Sequence, residues 1–204
     1  MKIVKKIAVI FLTLFFINNA LADDSIEAHD FIDNIGKTII KIAKDKNLTS
    51  LDKRTKIIDL VDNSINPEWI SRFVLGINYR TATEDQRREF TSLYRQFMIN
   101  TYGPKFKDYD GEKFEVLEVI EKKNIHLVKA EFLPKNSNIS ISVDFRIKKD
   151  NGKFLVLDFI TEGISLIETQ RSEFNSAISQ QGMESFLKSL KSRVEKLEKE
   201  NQEE

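Results

Sequence analysis

The sequence predicts an α+β domain in which a four-stranded antiparallel meander packs against N-terminal and C-terminal helices. Three observations predict this class. Apolar residues recur at helical spacing before Gly103, and from Lys113 to Thr161 they recur at every second position. Helical spacing returns after Gly163. This order of helices, strands and helices is typical of helices packed on one face of an antiparallel sheet.

Four strand-like segments follow one another with short breaks between them. They are Glu112 to Glu121, Ile125 to Pro134, Asn138 to Lys149 and Lys153 to Thr161. The last break contains Asn151-Gly152, and Asn-Gly is a strong hairpin signal because both central residues of the turn need positive φ. Short breaks predict that consecutive strands lie side by side and antiparallel.

The third and fourth segments differ in the number of faces that they bury. Polar residues alternate with apolar ones in the third, which predicts one covered face. Its apolar face is Ile139, Ile141, Val143, Phe145 and Ile147. The fourth segment is apolar on both faces, which predicts cover on both. Its two faces are Phe154, Val156 and Ile160, and Leu155, Leu157 and Phe159.

The helices have recognisable starts and ends. Asn66-Pro67 supplies an N-cap and a first-turn proline, and Thr83 forms a capping box with Gln86. The helix after Thr83 has an aromatic stripe with two interpretations, an ordinary packed helix or the wall of an apolar cavity. Gly182 separates two C-terminal helices, and the charged tail from Lys196 is expected to fray.

The first 22 residues have the pattern of a cleavable secretory signal peptide. Three lysines precede an apolar run from Ile7 to Ile17, and Ala20-Leu21-Ala22 is a small-x-small cleavage pattern. We therefore expect a mature chain of residues 23–204 that folds as one domain. A separate helical sub-lobe at residues 23–80 is the alternative organisation.

The charge balance does not indicate a nucleic-acid partner. The whole chain has 32 basic and 32 acidic residues, and loss of the three signal-peptide lysines leaves a net charge of −3. Hydrophobic residues make up 41% of the chain, which is enough for a packed core.

Few residues have the pattern of a catalytic or metal site. The sequence contains two histidines and no cysteine, and it has neither metal-ligand spacing nor a glycine-rich phosphate loop. The only trio that a hydrolase could use is Ser165, His126 and Asp158, and Ser165 lacks the second glycine of a nucleophile elbow. We interpret Ser165 as a cap or turn residue, His126 as a strand residue, and Asp158 as the partner of a basic side chain. We predict no enzyme, no metal and no cofactor.

Two regions of the chain match a family pattern. The first extends from Trp69 to Tyr102 and includes Phe73-Val74-Leu75-Gly76. The second consists of Asp158, Ile160, Glu162 to Ile167, Arg171, Glu173-Phe174 and Gly182. In these residues the chain resembles the MlaC, or toluene-tolerance, family, the periplasmic phospholipid-binding component of the Mla ABC lipid transport system.

The resemblance implies a periplasmic carrier that holds phospholipid acyl chains in an apolar cavity between sheet and helices. Such a carrier shuttles lipid between outer-membrane and inner-membrane complexes and maintains outer-membrane lipid asymmetry. The implied partners are phospholipid, an inner-membrane ABC transporter with a ring-shaped lipid-binding subunit, and an outer-membrane lipoprotein–porin complex. The side chains expected to line the cavity belong to apolar stripes around the two matching regions. They are Trp69, Phe73, Val74, Tyr94, Phe97, Met98, Val143, Phe145, Leu157, Phe159, Ile164 and Leu166.

Two other functions are compatible with the residues alone. An exported adaptor that binds only protein would need no lipid cavity, but it gives no reason for so many phenylalanines on both helices and strands. An enzyme on a cone-shaped α+β scaffold would need an acid, a base and a nucleophile in one place, and the sequence offers no such set.

Overall fold

The computed structural model describes residues 24–106, 111–134 and 139–203. The expected signal peptide and the expected break from Lys135 to Ser137 lie outside these residues. The helices are α1 (24–44), α2 (Ser50–Asp62), α3 (Pro67–Leu75), α4 (Asn78–Thr81), α5 (Glu84–Tyr102) and α6 (Leu166–Glu203), with a 3-10 turn at Gly103–Phe106. The strands are β1 (Gly111–Lys122), β2 (Ile125–Pro134), β3 (Ile141–Asp150), β4 (Lys153–Thr161) and β5 (Ile164–Ser165).

The strands form one antiparallel sheet in the order β1-β2-β3-β4-β5, so the predicted α+β meander is confirmed. The four predicted strands correspond to β1 to β4. The fifth strand has two residues, of which Ile164 pairs with Thr161 and Ser165 pairs with Ile160. A strand of two residues is too short to show alternation, so no pattern in the sequence predicted it.

Local signals set the ends of several elements. Asn66 accepts the backbone N–H of the third residue after it at 3.0 Å, and Thr83 and Gln86 form the predicted capping box. In the β3–β4 hairpin, Asn151 and Gly152 have φ angles of 48° and 78°. These features confirm the sequence predictions. They could be predicted because each depends only on neighbouring residues.

Helix α1 packs on one face of the sheet, which we call the α1 face. Ala28 and Ile32 are fully buried in a cluster with side chains of β2, β3 and β4. Gly36 allows a close approach to β1, since a Cβ atom there would lie 2.1 Å from the Phe114 ring. Any side chain at this position would displace the Phe114 ring or push the helix away from the sheet.

The other helices form a second core on the opposite face, which we call the α6 face. Side chains of α3, α5 and α6 make up this cluster, and Phe174 of α6 meets the aromatic stripe of α5 edge to face. Gly182, with φ 79°, kinks α6 so that Arg193 returns to pair with Glu173 at 2.9 Å. Helices thus cover both faces of the sheet, as the apolar residues on both faces of the fourth segment predicted. The order of elements had suggested cover on one face only.

A β-bulge reverses the facing of residues within β4. The register with β3 shifts by one residue, which leaves Leu157 without a direct partner. After the bulge Phe159 lies on the α1 face and Ile160 on the α6 face. The predicted grouping of Ile160 with Phe154, and of Phe159 with Leu155, is therefore wrong, because one extra residue restarts the alternation.

The end of α6 differs from the expectation. The chain is helical to Glu203, and Asn201 donates to the backbone carbonyl of Asn100 at 3.0 Å. The predicted fraying from Lys196 is therefore wrong for the described part of the tail, because the tail docks on the end of α5.

Asp158 links the sheet to the start of α6. Its side chain is completely buried, and its Oδ2 atom lies 3.1 Å from Nη1 of Arg146 on β3. The same oxygen accepts a hydrogen bond from the Ser165 hydroxyl at 2.7 Å. Oδ1 accepts the backbone N–H groups of Phe159 at 2.8 Å and Ile167 at 3.3 Å. One carboxylate therefore joins β3, β4, β5 and α6.

Ser165 completes this junction as the cap of α6. Its hydroxyl oxygen accepts the backbone N–H of Glu168 at 3.1 Å while the hydroxyl hydrogen points to Asp158. Glu168 also pairs with Arg146 at 2.8 Å. Negative side chains near the first turn of a helix are stabilised by its dipole, so the charge of Asp158 and the helix support each other.

We expect Asp158→Ala to lower the free energy of unfolding by about 3 kcal/mol, because two backbone N–H groups, a hydroxyl and Arg146 lose a shared buried acceptor. Equilibrium urea unfolding followed by circular dichroism measures this change. Asp144→Ala is the matched control, since Asp144 is a half-buried carboxylate on the face of β3 that carries Arg146, the partner of Asp158. The control should change stability by about 0.5 kcal/mol or less. Equal effects of the two substitutions would contradict the role of Asp158.

Candidate functional site

The twelve residues expected to line one cavity lie on both sides of the sheet. Val143, Phe145, Phe159 and Ile164 are on the α1 face. Leu166 is half-buried at the first position of α6. The rest belong to the helical core or to the α6 face: Trp69, Phe73, Val74, Tyr94, Phe97, Met98 and Leu157. A single cavity cannot include both groups because the sheet lies between them.

The residues on the α1 face form one continuous surface with Ile141. Phe145 lies opposite Phe159, and their ring centroids are 5.4 Å apart. Val143 and Ile164 both pair with the last residue of β4. Directly opposite residues of an antiparallel pair share a face, so these five side chains lie on one face, together with Thr161, which stands between Val143 and Ile164. We call the five apolar side chains the β3–β5 apolar surface; Ile141, absent from the twelve, was detectable from the alternation of the third strand.

This surface exposes large apolar side chains to solvent. The exposed fractions of Ile141, Phe159 and Ile164 are 43%, 38% and 61%. Helix α1 crosses the sheet diagonally, from an ion pair with Lys149 at the β3–β4 hairpin to Phe114 near the start of β1. This path leaves the corner formed by β3, β4 and β5 exposed. A contiguous exposed apolar patch is typical of a binding site.

The residues in the helical core are packed more tightly. Val74, Tyr94 and Phe97 are 0%, 4% and 3% exposed. The Tyr94 hydroxyl donates a hydrogen bond to the Gln170 side chain, and burial raises the pKa of Tyr94 well above its usual value. Both features are typical of a tyrosine that completes a protein core.

Trp69 and Leu157 border a small cavity on the α6 face. Its volume is about 80 Å³, whereas pockets for small-molecule ligands occupy roughly 300–1,000 Å³. Its other lining residues are Asn66, Lys148, Asp150 and Leu155. The indole of Trp69 stacks on Phe73 with a centroid separation of 5.4 Å. This cavity can hold water molecules but not an acyl chain.

The trio that a hydrolase could use is not assembled. His126 is buried on the α1 face, where its ring meets Phe154 edge to face at 5.3 Å. Asp158 lies on the opposite face of the sheet and binds Arg146, and Ser165 caps α6. The interpretation of these three residues as structural is confirmed.

Residues 24–106, 111–134 and 139–203 contain neither a candidate metal site nor a candidate membrane-spanning helix. This part of the chain contains no group of three histidine, cysteine or acidic side chains that could hold a metal ion. Within the same ranges, no helix combines the length and apolar character needed to cross a membrane.

A family model and a curated relative indicate one family, and a solved structure shares the fold. A family model described as MlaC protein matches residues 33–192. The intermembrane phospholipid transport system binding protein MlaC of Haemophilus influenzae is 22% identical over 151 residues, covering 72% of this chain and 69% of that protein. A phospholipid-binding protein of Ralstonia solanacearum, solved in complex with a phospholipid, has the same fold. It superposes with a TM-score of 0.73 at 18% identity, over 83% of this chain and 98% of that one. Because the family model spans more than half of the sequence, the chain belongs to the MlaC family.

Proposed function

We propose that this protein is a phospholipid carrier whose cargo lies with its acyl chains against the β3–β5 apolar surface. The observation that carries the proposal is the exposure of Ile141, Phe159 and Ile164 on one sheet face, in a chain of the MlaC family. The Haemophilus relative is named for phospholipid transport, and the Ralstonia relative was solved with a phospholipid. Both names support a lipid as the occupant of this surface.

The cargo requires an apolar surface far more than it requires polar groups. Transfer of acyl chains from water is worth about 0.8 kcal/mol per methylene, or on the order of 24 kcal/mol for roughly thirty methylenes. A carrier must supply nearly all of this free energy through contacts with apolar side chains. A charged head group can stay in water, so a lipid carrier needs no conspicuous polar site.

The β3–β5 apolar surface suits this role better than the helical core does. The exposed side chains of Phe159 and Ile164 can contact a chain that lies across the sheet without displacing other side chains. The half-buried Phe145 and the buried Val143 adjoin them on the same face. Insertion of a chain beside Tyr94 would instead separate rings that already pack against each other. We therefore assign Trp69, Phe73, Val74, Tyr94, Phe97, Met98 and Leu157 to the structural core, and Val143, Phe145, Phe159 and Ile164 to the lipid site. We also assign Leu166 to the site, because it follows β5 directly at the first position of α6 and is half-buried.

The carrier works between membranes and has no ATPase of its own. We infer that the mature chain is periplasmic, and that it exchanges lipid with an inner-membrane ABC transporter through a ring-shaped subunit. The second exchange partner is an outer-membrane lipoprotein–porin complex, and the exchange maintains the lipid asymmetry of the outer membrane. An adaptor without lipid cargo is the alternative, and lipid analysis of the purified protein separates the two.

We expect export to remove residues 1–22, because the apolar run ends at the small-x-small pattern Ala20-Leu21-Ala22. N-terminal sequencing of protein from the periplasmic fraction should begin at Asp23. Ala22→Arg should block cleavage and leave the precursor in the membrane fraction. An intact Met1 in soluble wild-type protein would contradict export by this signal.

We expect the purified protein to contain about one diacyl phospholipid per chain, and Phe159→Glu to lower this content at least five-fold. A carboxylate in the middle of the β3–β5 apolar surface would be desolvated by an acyl chain, and the loss of lipid avoids that cost. Organic extraction followed by lipid mass spectrometry gives the content per chain.

Leu117→Glu is the matched control for this substitution. Leu117 is 55% exposed and lies on β1, at the opposite edge of the sheet. The control should keep the wild-type lipid content. After lipid extraction, which removes the stabilisation by bound lipid, both variants should melt at the temperature of extracted wild-type protein because both side chains are exposed. Equal lipid content in the two variants would exclude the β3–β5 apolar surface as the site.

We expect the fluorescence of Trp69, the only tryptophan, to be insensitive to the cargo. Its indole packs on Phe73 on the α6 face, so removal of lipid from the α1 face leaves its surroundings unchanged. Emission spectra of lipid-loaded and lipid-extracted protein should coincide. A Trp69→Phe, Phe159→Trp variant is the positive control, and its emission maximum should move to longer wavelength on extraction. A shift of Trp69 itself would place lipid on the α6 face.

A further inference from the structure

Four arginines lie near the connection between α3 and α4, and this connection carries an exposed isoleucine. Arg72, Arg80, Arg87 and Arg171 belong to α3, α4, α5 and α6 respectively. Ile77 lies in the short connection between α3 and α4, and 74% of it is exposed. We call these five residues the arginine patch.

Aromatic rings and backbone carbonyls hold three of the guanidinium groups in place. Arg87 and Arg72 lie 4.6 and 5.8 Å from the centroid of the Tyr79 ring. Arg171 lies 4.8 Å from the Phe73 ring. Arg87 also donates from Nε to the Tyr79 carbonyl at 2.8 Å, and Arg171 donates from Nη1 to the Phe73 carbonyl at 3.0 Å. These contacts fix the positions of the charges and leave further N–H donors of each group unused.

None of these four arginines forms an ion pair within the described parts of the chain. Four of the other five arginines do have carboxylate partners: Arg88, Arg95, Arg146 and Arg193. Arginines without a carboxylate partner are therefore concentrated at one place. Interaction with the carbonyls at the end of α3 gives a structural reason for Arg72 and Arg171. Arg87 likewise donates to the carbonyls of Tyr79 and Arg80 in α4. No such contact within the described residues accounts for Arg80 or for the exposure of Ile77.

We propose that the arginine patch is a docking surface for a protein that presents carboxylates around an apolar depression. Fixed guanidinium groups match carboxylates in a two-pronged geometry, and a depression would take the side chain of Ile77. Protein interfaces are enriched in arginine and tyrosine and depleted in lysine. An anionic lipid surface would attract lysine and arginine alike. The chain has 23 lysines and nine arginines, so the use of four arginines favours a protein partner.

The docking surface is independent of the lipid site. The arginine patch lies on α3, α4, α5, α6 and the connection after α3, whereas the β3–β5 apolar surface lies on the α1 face of the sheet. Substitutions in the patch should leave the lipid content per chain unchanged. A failure of the docking proposal and a failure of the carrier proposal therefore give different results.

Site-specific photocrosslinking in the host cell tests the proposal on the full chain. A benzophenone amino acid replaces Ile77, and the crosslinked peptide of the partner is identified by mass spectrometry. We expect the crosslink to lie within a segment of the partner that is rich in Asp and Glu. Arg72→Glu combined with Arg80→Glu should reduce the adduct at least ten-fold, and lysines in place of two mapped partner carboxylates should restore it. Arg72 and Arg80 donate no hydrogen bond to the rest of the described chain, so the double variant should fold normally.

Matched controls and a vesicle assay separate the other outcomes. Benzophenone in place of Ile26, which is 61% exposed on α1, should not give the adduct, and Lys41→Glu with Lys56→Glu should not reduce it. Four results would overturn the proposal: no adduct at position 77, an adduct on a segment without acidic residues, an adduct that survives charge reversal, or charge reversal that partner lysines do not rescue. The vesicle assay measures cosedimentation of the protein with phosphatidylglycerol–phosphatidylcholine vesicles. Cosedimentation that is lost in the double arginine variant, without a protein adduct at position 77, would assign the patch to a membrane surface. This result would also overturn the proposal.

Discussion

The fold depends on the buried carboxylate of Asp158, which fixes where α6 starts relative to the sheet. Its oxygens accept hydrogen bonds from β4, from the Ser165 cap and from the first turn of α6, and Arg146 balances its charge. A carboxylate removed from water is stable only when such partners are present. The junction therefore determines that α6, and the core it completes with α5, lie on the α6 face. On the α1 face, helix α1 is the element that packs on the sheet, and it covers only part of that face.

The segment from Asp158 to Ser165 therefore has a structural role and a functional consequence. Gly163, with φ 77°, turns the chain between β4 and β5 and allows Ser165 to return to Asp158. The same turn places Ile164 at the corner of the α1 face, where it is exposed. The residues that carry the family resemblance thus build the turn that presents one end of the proposed lipid site. No catalytic chemistry is needed to explain them.

The sequence predicted features that depend on near neighbours and missed those that depend on distant ones. The cap of α3, the capping box of α5 and the Asn151-Gly152 turn each involve residues within three positions. The bulge at Leu157 depends on the pairing of β4 with β3, and periodicity alone cannot locate it. The cover of both sheet faces depends on tertiary packing. For this reason the predicted lining residues divided into a core group and a surface group.

The central claim is that acyl chains lie on the β3–β5 apolar surface. A phospholipid with a photoreactive diazirine near the end of one acyl chain tests it directly. The protein is loaded with this lipid, irradiated and digested, and the modified residues are identified by mass spectrometry. We expect modification of Val143, Phe145 or Phe159. Modification of Tyr94 or Phe97 would place the chains in the helical core and contradict the account.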